Sequence, residues 1–399
     1  MGEEKIRSLR GGANQSGLRD HNERLLLSML QRNGAMPGSD LARRTGLSPQ
    51  TVSVILRKLE NDELLERGTP SRGKVGKPSI PMELSPSGVF SFGLKIGRRG
   101  ADLLLMDFTG GIRQLLQISY DYPMPELVFD FLESGMATIT ANLKPAEVER
   151  ICGLGIATPF EIWNWNELVG APEEEFSSWK SVNFKSAVSE FSDLPTYVVN
   201  DATAACRAEH VYGRGKEFRD FAYFYLAAFI GGGIVLNHTV FEGHQGNAGA
   251  LGSLPGIGAE GESRQLIDIA SVHLLEVQLH QANLDTKLLW RHPQNWDSLS
   301  RFVEPWIEKT ALQLAKASLA VCSVIDFEAV LIDGALPLNV KEKLVNRTRS
   351  FLADQDARGL IPPTIEMGVV GENSRAIGAA CGPVFSQFFL NTHVGFSEI

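Results

Sequence analysis

The sequence predicts an α/β protein with an N-terminal winged helix-turn-helix, and three observations predict it. Residues 20–84 hold three short helix patterns and then two apolar stretches around a basic loop. From Val89 onward, short apolar strands alternate with helices, the layering of an α/β domain. Charge divides the same way. Residues 1–80 hold 14 Lys+Arg against 9 Asp+Glu, and residues 81–399 hold the remaining 24 against 38. A basic head on an acidic body is expected when only the head meets phosphates. The 399 residues suffice for more than one compact unit. The expected division is a flexible arm over 1–19, a winged helix-turn-helix over 20–85, and one large domain over 86–399.

Each element of the head has a local reason. His21–Arg32 reads as a first helix with Leu26, Leu27 and Leu30 on its apolar face. After the breaker stretch 33–38, Ser39 is placed to cap a second helix over Asp40–Thr45. Gly46 follows, where a tight turn needs positive φ. Ser48 and Pro49 then read as the N-cap and first position of a third helix. Val52, Ile55, Leu56 and Leu59 give that helix one buried stripe. The opposite face carries Gln50, Thr51, Ser53 and Arg57, which with Ser48 are expected to meet base edges and phosphates in a major groove. Leu64–Arg67 and Ile80–Leu84 read as the two strands of a wing. The loop between them carries Arg72, Lys74 and Lys77, expected on the DNA backbone or in the minor groove.

In the large domain, Phe90–Ile96, Ala101–Phe108 and Ile112–Tyr120 read as consecutive strands. A helix over Pro125–Leu143 and a buried strand at Ile151–Ala157 follow. Thr196–Val199 is a strand running into a helix from Ala202 to Val211. Phe221–Ala227 and Gly233–Leu236 resume the strands, Pro305–Asp326 is a long amphipathic helix, and Val330–Gly334 is a buried strand. No internal repeat is visible. The four cysteines are scattered and suggest small buried thiols rather than disulfides or a local zinc site. No apolar run approaches the length of a membrane span, and the N-terminus has no signal-peptide core, so a cytoplasmic chain with no membrane partner is expected.

Five segments together carry a family resemblance: the winged head, GLGIATP at 153–159, VNDATAA at 199–205, FIGGGIVLNHTVFEGHQGNAGALGS at 229–253 and IGAA at 377–380. In order and spacing the chain resembles the ROK family of repressors, open reading frames and sugar kinases. That resemblance implies an actin-like, ribonuclease-H-like sugar kinase fold in two lobes for the large domain. It also implies that Asp201, beside Asn200, stands where the kinases keep their general base, and that Asn247 faces the sugar pocket.

The departures from the family pattern matter as much. Lys95, Arg98 and Arg99 stand where the kinases have an acid and small residues around ATP phosphates. Ala228 and Phe229 replace part of a Gly-Thr-Gly segment. Gly249–Ser253 lacks the sugar-contacting glutamate and histidine, and no cysteine cluster for zinc follows. The implication is no catalytic residue, no metal and no cofactor. A base without a phosphoryl donor makes no kinase. Trp163 and Trp165 lie in a loop over 161–178, read either as a sugar platform or as tryptophans packed on the protein. Trp179 reads as structural and His244 as a surface residue.

The expected function is a DNA-binding transcriptional regulator, a repressor of carbohydrate-related genes. Its partners are a double-stranded operator and a sugar or sugar-phosphate effector, and it is a homodimer or dimer of dimers, because one recognition helix reads few base pairs. Two alternatives stay open: an ATP-dependent sugar kinase with an added head, and a regulator whose large domain only dimerises.

Overall fold

The computed structural model describes residues 15–70, 80–166, 170–257, 261–291 and 293–390. Most of the expected arm, and the wing residues Arg72, Lys74 and Lys77, lie outside the described residues. The chain divides into two compact units. One takes the chain up to Ala157, Glu161–Val198 and everything from Ala379. The other takes Thr158–Phe160 and Val199–Gly378.

The first unit begins with α1 (Gln15–Asn33), α2 (Gly38–Thr45) and α3 (Pro49–Asn61). Leu26, Leu27, Leu30, Leu41, Val52, Ile55 and Leu59 are all at most 5% exposed, so the three helices share one core. α2 departs from expectation at its start. Its N-cap is Pro37, whose carbonyl accepts from Asp40 and Leu41 N–H, and Ser39 lies inside the helix. The fixed φ of proline suits the extended cap conformation, so no side-chain cap is required. Gly46 ends α2 at φ 71°, as the turn demands. The wing strands β1 (Leu65–Arg67) and β2 (Met82–Leu84) pair antiparallel. Met36, expected in a mere breaker, adds a bridge to Met82 through two N–H···O bonds of 2.9 Å.

β3 (Phe90–Ile96), β4 (Gly100–Asp107) and β5 (Ile112–Ser119) form an antiparallel meander. α4 (Pro125–Ala141) then leads to β6 (Ile151–Thr158) and β7 (Thr196–Asn200), in a sheet of order β5-β4-β3-β6-β7 with β6 parallel to β3. Phe90, Phe92, Leu94 and Ile96 pack with α4 and with Trp179, whose indole N–H donates to Pro123 O at 2.9 Å. Ile162–Trp165, Glu173–Phe176 and Ser177–Ser181 form short helical turns, and Trp163 and Trp165 pack against this core.

The second unit holds α5 (Asp201–Tyr212), β8 (Phe221–Leu226), β9 (Ile230–Leu236), β10 (Thr239–Val240), β11 (Pro255–Ile257), β12 (Ser263–Gln265), α6 (His273–Gln281), α7 (Ser300–Cys322), β13 (Ala329–Gly334), α8 (Leu338–Ala353), β14 (Thr364–Met367) and the first turn of α9 (Ser374–Phe388). Its main sheet runs β10-β9-β8-β13-β14. The first three strands are antiparallel and the last two join in parallel. The antiparallel meander and the parallel fourth strand repeat those of the first unit's sheet, so the chain has an internal repeat of topology with no visible repeat of sequence. α7 begins five residues before Pro305, where the sequence suggested its start, and ends at Cys322. Burying Val303, Trp306 and Ile307 outweighs the one hydrogen bond a proline forfeits, each such side chain being worth about 1.5–3 kcal/mol.

The rest of α9 packs in the first unit. Gly155 lies so close to it that a Cβ would sit 1.8 Å from Ala379 O, and Ser91 Oγ donates to Ala380 O at 2.8 Å. The end of α9 reaches the head: Arg24 donates to Ser386 O at 3.3 Å, and Leu390 N–H donates to Ser28 Oγ at 2.9 Å. A second latch is Arg150, which donates to Asp62 O and Gly88 O at 3.2 Å and pairs with Glu63.

Candidate functional site

α3 places the predicted DNA-facing residues together. Ser48 Oγ accepts from Thr51 N–H at 3.1 Å and lies 2.8 Å from Thr51 Oγ1, so both hydroxyls belong first to the helix cap. Beyond the cap, Gln50, Ser53 and Arg57 are exposed on the side opposite the buried stripe. Lys58 turns back and grips Glu23 of α1 through contacts of 2.6 and 2.7 Å. A groove of about 730 Å³ runs beside α3, lined by Gly38, Ser39, Ser53, Arg57, Glu60 and Arg67 among others.

The sequence reading missed four residues on this surface. Arg43 and Arg44 project from α2, the first paired with Asp40 at 3.0 Å and the second donating to Asn33 Oδ1 at 3.0 Å. Arg67, at the end of β1, donates through Nε to Glu60 Oε1 at 2.7 Å. Val54 is 51% exposed on α3 although it is apolar. The signal for the arginines was their charge. Val54 gave none, because helical periodicity counts it only as an exception.

The second predicted cluster stands at the start of α5. Asn200 is the N-cap, its Oδ1 accepting from Ala202 N–H at 3.0 Å and Thr203 N–H at 3.1 Å. Asp201 accepts from Ala202 N–H at 2.8 Å through Oδ1, while Oδ2 faces Arg375 Nη1 at 3.4 Å. Arg375 in turn lies over the Tyr225 ring, 5.2 Å from its centroid. Asn247 is half-buried in the loop after β10. That loop is tied to α5 by an Arg207–Glu242 ion pair, and its Gly249 abuts Gly233 of β9. Gly231 and Gly233 lie against Ala202 and Cys206 of α5. Their Cβ atoms would come within 2.7 and 2.4 Å of those residues, so glycine is required for helix, strand and loop to approach. His244 is exposed.

The segments over 95–100 and 227–229 are tied up within the fold. Lys95 and Asp102 are cross-strand partners in the β3–β4 register, with Nζ 3.0 Å from Oδ2 and both side chains largely buried. Gly97 O accepts from Tyr120 OH at 2.8 Å, and Arg99 donates to Asp121 O. In the second unit, Ala227 O and Ala228 O accept the N–H groups of Val272 and His273, at 3.2 and 2.9 Å. The Phe229 ring meets His273 edge-on at 5.6 Å.

A buried polar network lies at the C-terminal ends of α5 and β13. Lys341 Nζ donates to Asp333 Oδ1 at 2.6 Å and Gly368 O at 3.0 Å. Asp333 Oδ2 accepts from Gly371 N–H at 2.8 Å. Glu209 accepts from the N–H groups of Arg214, Val369 and Val370 at 2.9–3.0 Å. Burial, and then the Asp333 charge, push the Glu209 carboxyl above its ordinary range. Burial also pushes the Cys206 thiol up, so it behaves as packing rather than as a nucleophile. Among the described residues no group of three or more His, Cys, Asp or Glu could hold a metal ion, and no helix is long and apolar enough to cross a membrane.

Comparison with known proteins places this architecture. A family model described as the ROK family matches residues 91–381, and one described as winged helix-turn-helix DNA-binding matches residues 19–66. The uncharacterized protein y4fQ of Sinorhizobium fredii is 24% identical over 371 residues, 92% of each chain. The xylose repressor of Bacillus subtilis is 24% identical over 242 residues, 61% of this chain and 62% of the repressor. A crystal structure of a ROK family transcriptional regulator, described as a homolog of the Escherichia coli MLC protein, superposes with TM-score 0.66. It is 18% identical, over 93% of this chain and 97% of that one.

Proposed function

The chain belongs to the ROK family, and we propose that it is a sequence-specific repressor of carbohydrate-related genes that performs no phosphoryl transfer. Its head matches a separate model, described as winged helix-turn-helix DNA-binding, and the large domain has the ROK family's sugar-kinase-like α/β fold. We assign the operator contacts to Ser48, Gln50, Thr51, Ser53 and Arg57 on α3 and to Arg72, Lys74 and Lys77 in the wing. The effector, a sugar or sugar phosphate, is assigned to Asn200, Asp201 and Asn247, and the working form is a homodimer.

The observation that carries this reading is the outward face of α3. Its buried stripe serves the fold, while Gln50, Ser53 and Arg57 are exposed opposite it. The xylose repressor among the relatives supports the sugar-linked role. Absence of kinase chemistry is supported by Lys95, held by Asp102, and by the packed Ala227–Phe229 turn. The test is operator binding as a function of salt. Arg72→Ala/Lys74→Ala should lower the slope of log affinity against log salt by about two. An unchanged slope would remove the wing from the interface.

A second reading has its own support. Asn200 Oδ1 is committed to a helix cap and Asp201 to Arg375, as expected if the large domain only dimerises. Thermal shift with a panel of sugars and sugar phosphates separates the two. A midpoint raised by one of them in the native chain but not in Asp201→Asn supports sensing, and no response to any supports dimerisation alone.

A further inference from the structure

We infer that Val54 reads a thymine methyl group in the operator, between the base pairs met by Gln50 and Arg57. This rests on the DNA-reading assignment of α3 made above. Four of the five remaining apolar side chains of α3, Val52, Ile55, Leu56 and Leu59, are between 1% and 8% exposed, and the fifth is Pro49 at the helix start. Val54 is 51% exposed. The fold therefore gains much less from its methyl groups than from those of the four buried residues. A β-branched residue on an exposed helix face even costs a few tenths of a kcal/mol against alanine.

Its position gives the exposure a meaning. Residues 50, 54 and 57 follow the i, i+4, i+7 spacing and so line one stripe of the helix. The stripe presents an amide, then two methyl groups, then a guanidinium. Those three chemistries match the major-groove edges of adenine, thymine and guanine: a bidentate acceptor and donor pair, the C5-methyl, and two acceptors. The helix rises about 1.5 Å per residue, so Val54 lies roughly 6 Å along the axis from Gln50 and about 4.5 Å from Arg57. One or two base-pair steps of 3.4 Å separate groups so spaced. Ser53 and Arg57 flank the valine on the groove side, which keeps the methyl contact within a polar, phosphate-compatible surface.

The experiment begins by selecting bound duplexes from a random pool with the full chain. Each thymine of the selected site is then replaced in turn by deoxyuridine, which removes only the methyl group. For the native chain, one thymine per half-site should matter, its loss weakening binding about fourfold, the size expected for one buried methyl. Val54→Ala should bind the thymine site about fourfold more weakly and no longer distinguish thymine from uracil there. Val54→Thr, which keeps one methyl, should retain the distinction, and Val54→Ser should lose it. Because the side chain is exposed, all three variants should melt with the native chain. Indifference of the native chain to every uracil replacement overturns the inference, as does a Val54→Ala variant with undiminished sensitivity. Either leaves the DNA-reading assignment standing. If the full chain enriches no duplex, that assignment falls and the inference falls with it.

Discussion

The head and the second unit use charge in opposite ways. On the head, Arg43–Asp40 and Arg67–Glu60 are surface pairs whose arginines remain 74% and 62% exposed. Such pairs contribute little to stability and exchange readily for a phosphate. In the second unit, Asp333 is fully buried and Lys341 nearly so, and each oxygen of Asp333 has a donor. Removing one member of such a pair strands the other out of water, which costs far more than the pair itself is worth. The accessible charges of the head are available to a partner, while the buried pair of the second unit already belongs to the fold.

The sharpest way to break that contrast is Lys341→Met. It should cost about 3–5 kcal/mol by leaving Asp333 unpaired and lower the midpoint on the order of ten degrees in a thermal melt. Pairing it with Asp333→Asn should restore part of the loss. A melt unchanged by Lys341→Met would show that the buried pair is not structural. Next in size, Arg57→Ala should leave the melt untouched yet weaken operator binding about tenfold, measured by anisotropy on a selected site.

A smaller effect is expected with pH. Glu209 has a raised folded pKa, so above its ordinary value of 4.5 the folded chain holds more protons than the unfolded one. Its contribution is therefore complete at low pH and declines as pH rises through the folded pKa. The midpoint of Glu209→Gln should lack that part of the decline, and melting the two proteins across a pH series checks it. Smallest of all, Glu60→Gln should release Arg67 and raise affinity for random-sequence duplex on the order of twofold. A fall in that affinity would mean that Glu60 organises the surface rather than restraining it.

What the sequence made legible follows from the range of the forces involved. The α3 cap, Gly46 and the 3.6-residue stripe are local, and Ser48, Pro49 and the buried Val52–Leu59 positions stand where local rules put them. Eight strands of the large domain were readable to within a few residues for the same reason, while the short β10, β11, β12 and β14 were missed, because two to four residues are too few to show an alternation. Local rules misassigned Ser39 because a competing cap, Pro37, lay two positions earlier. They also started α7 at Pro305, since proline commonly opens a helix and tertiary burial is invisible to a pattern. The partner of Asp201 is 174 positions away, and the partner of Lys95 depends on a hairpin register. Neither is written in any neighbourhood of the sequence. The repeated sheet plan escaped for a related reason. A strand needs only alternation and bulk, so two copies can keep a topology while sharing no residues.

The latches of α1 and Arg150 carry a consequence for the phase of an operator. The head is not hung from the rest of the first unit on a free hinge. It is fastened at Ser28, Arg24, Asp62 and Glu63, and only a short turned connection over 85–89 leads onward to β3. In a two-fold pair of such chains the reading helices would move as outriggers, turning only when the sheets of their first units turn. Sites spaced by a whole helical turn of DNA would then be accepted. An inserted base pair, which swings one site around the duplex axis, would find no slack to absorb it.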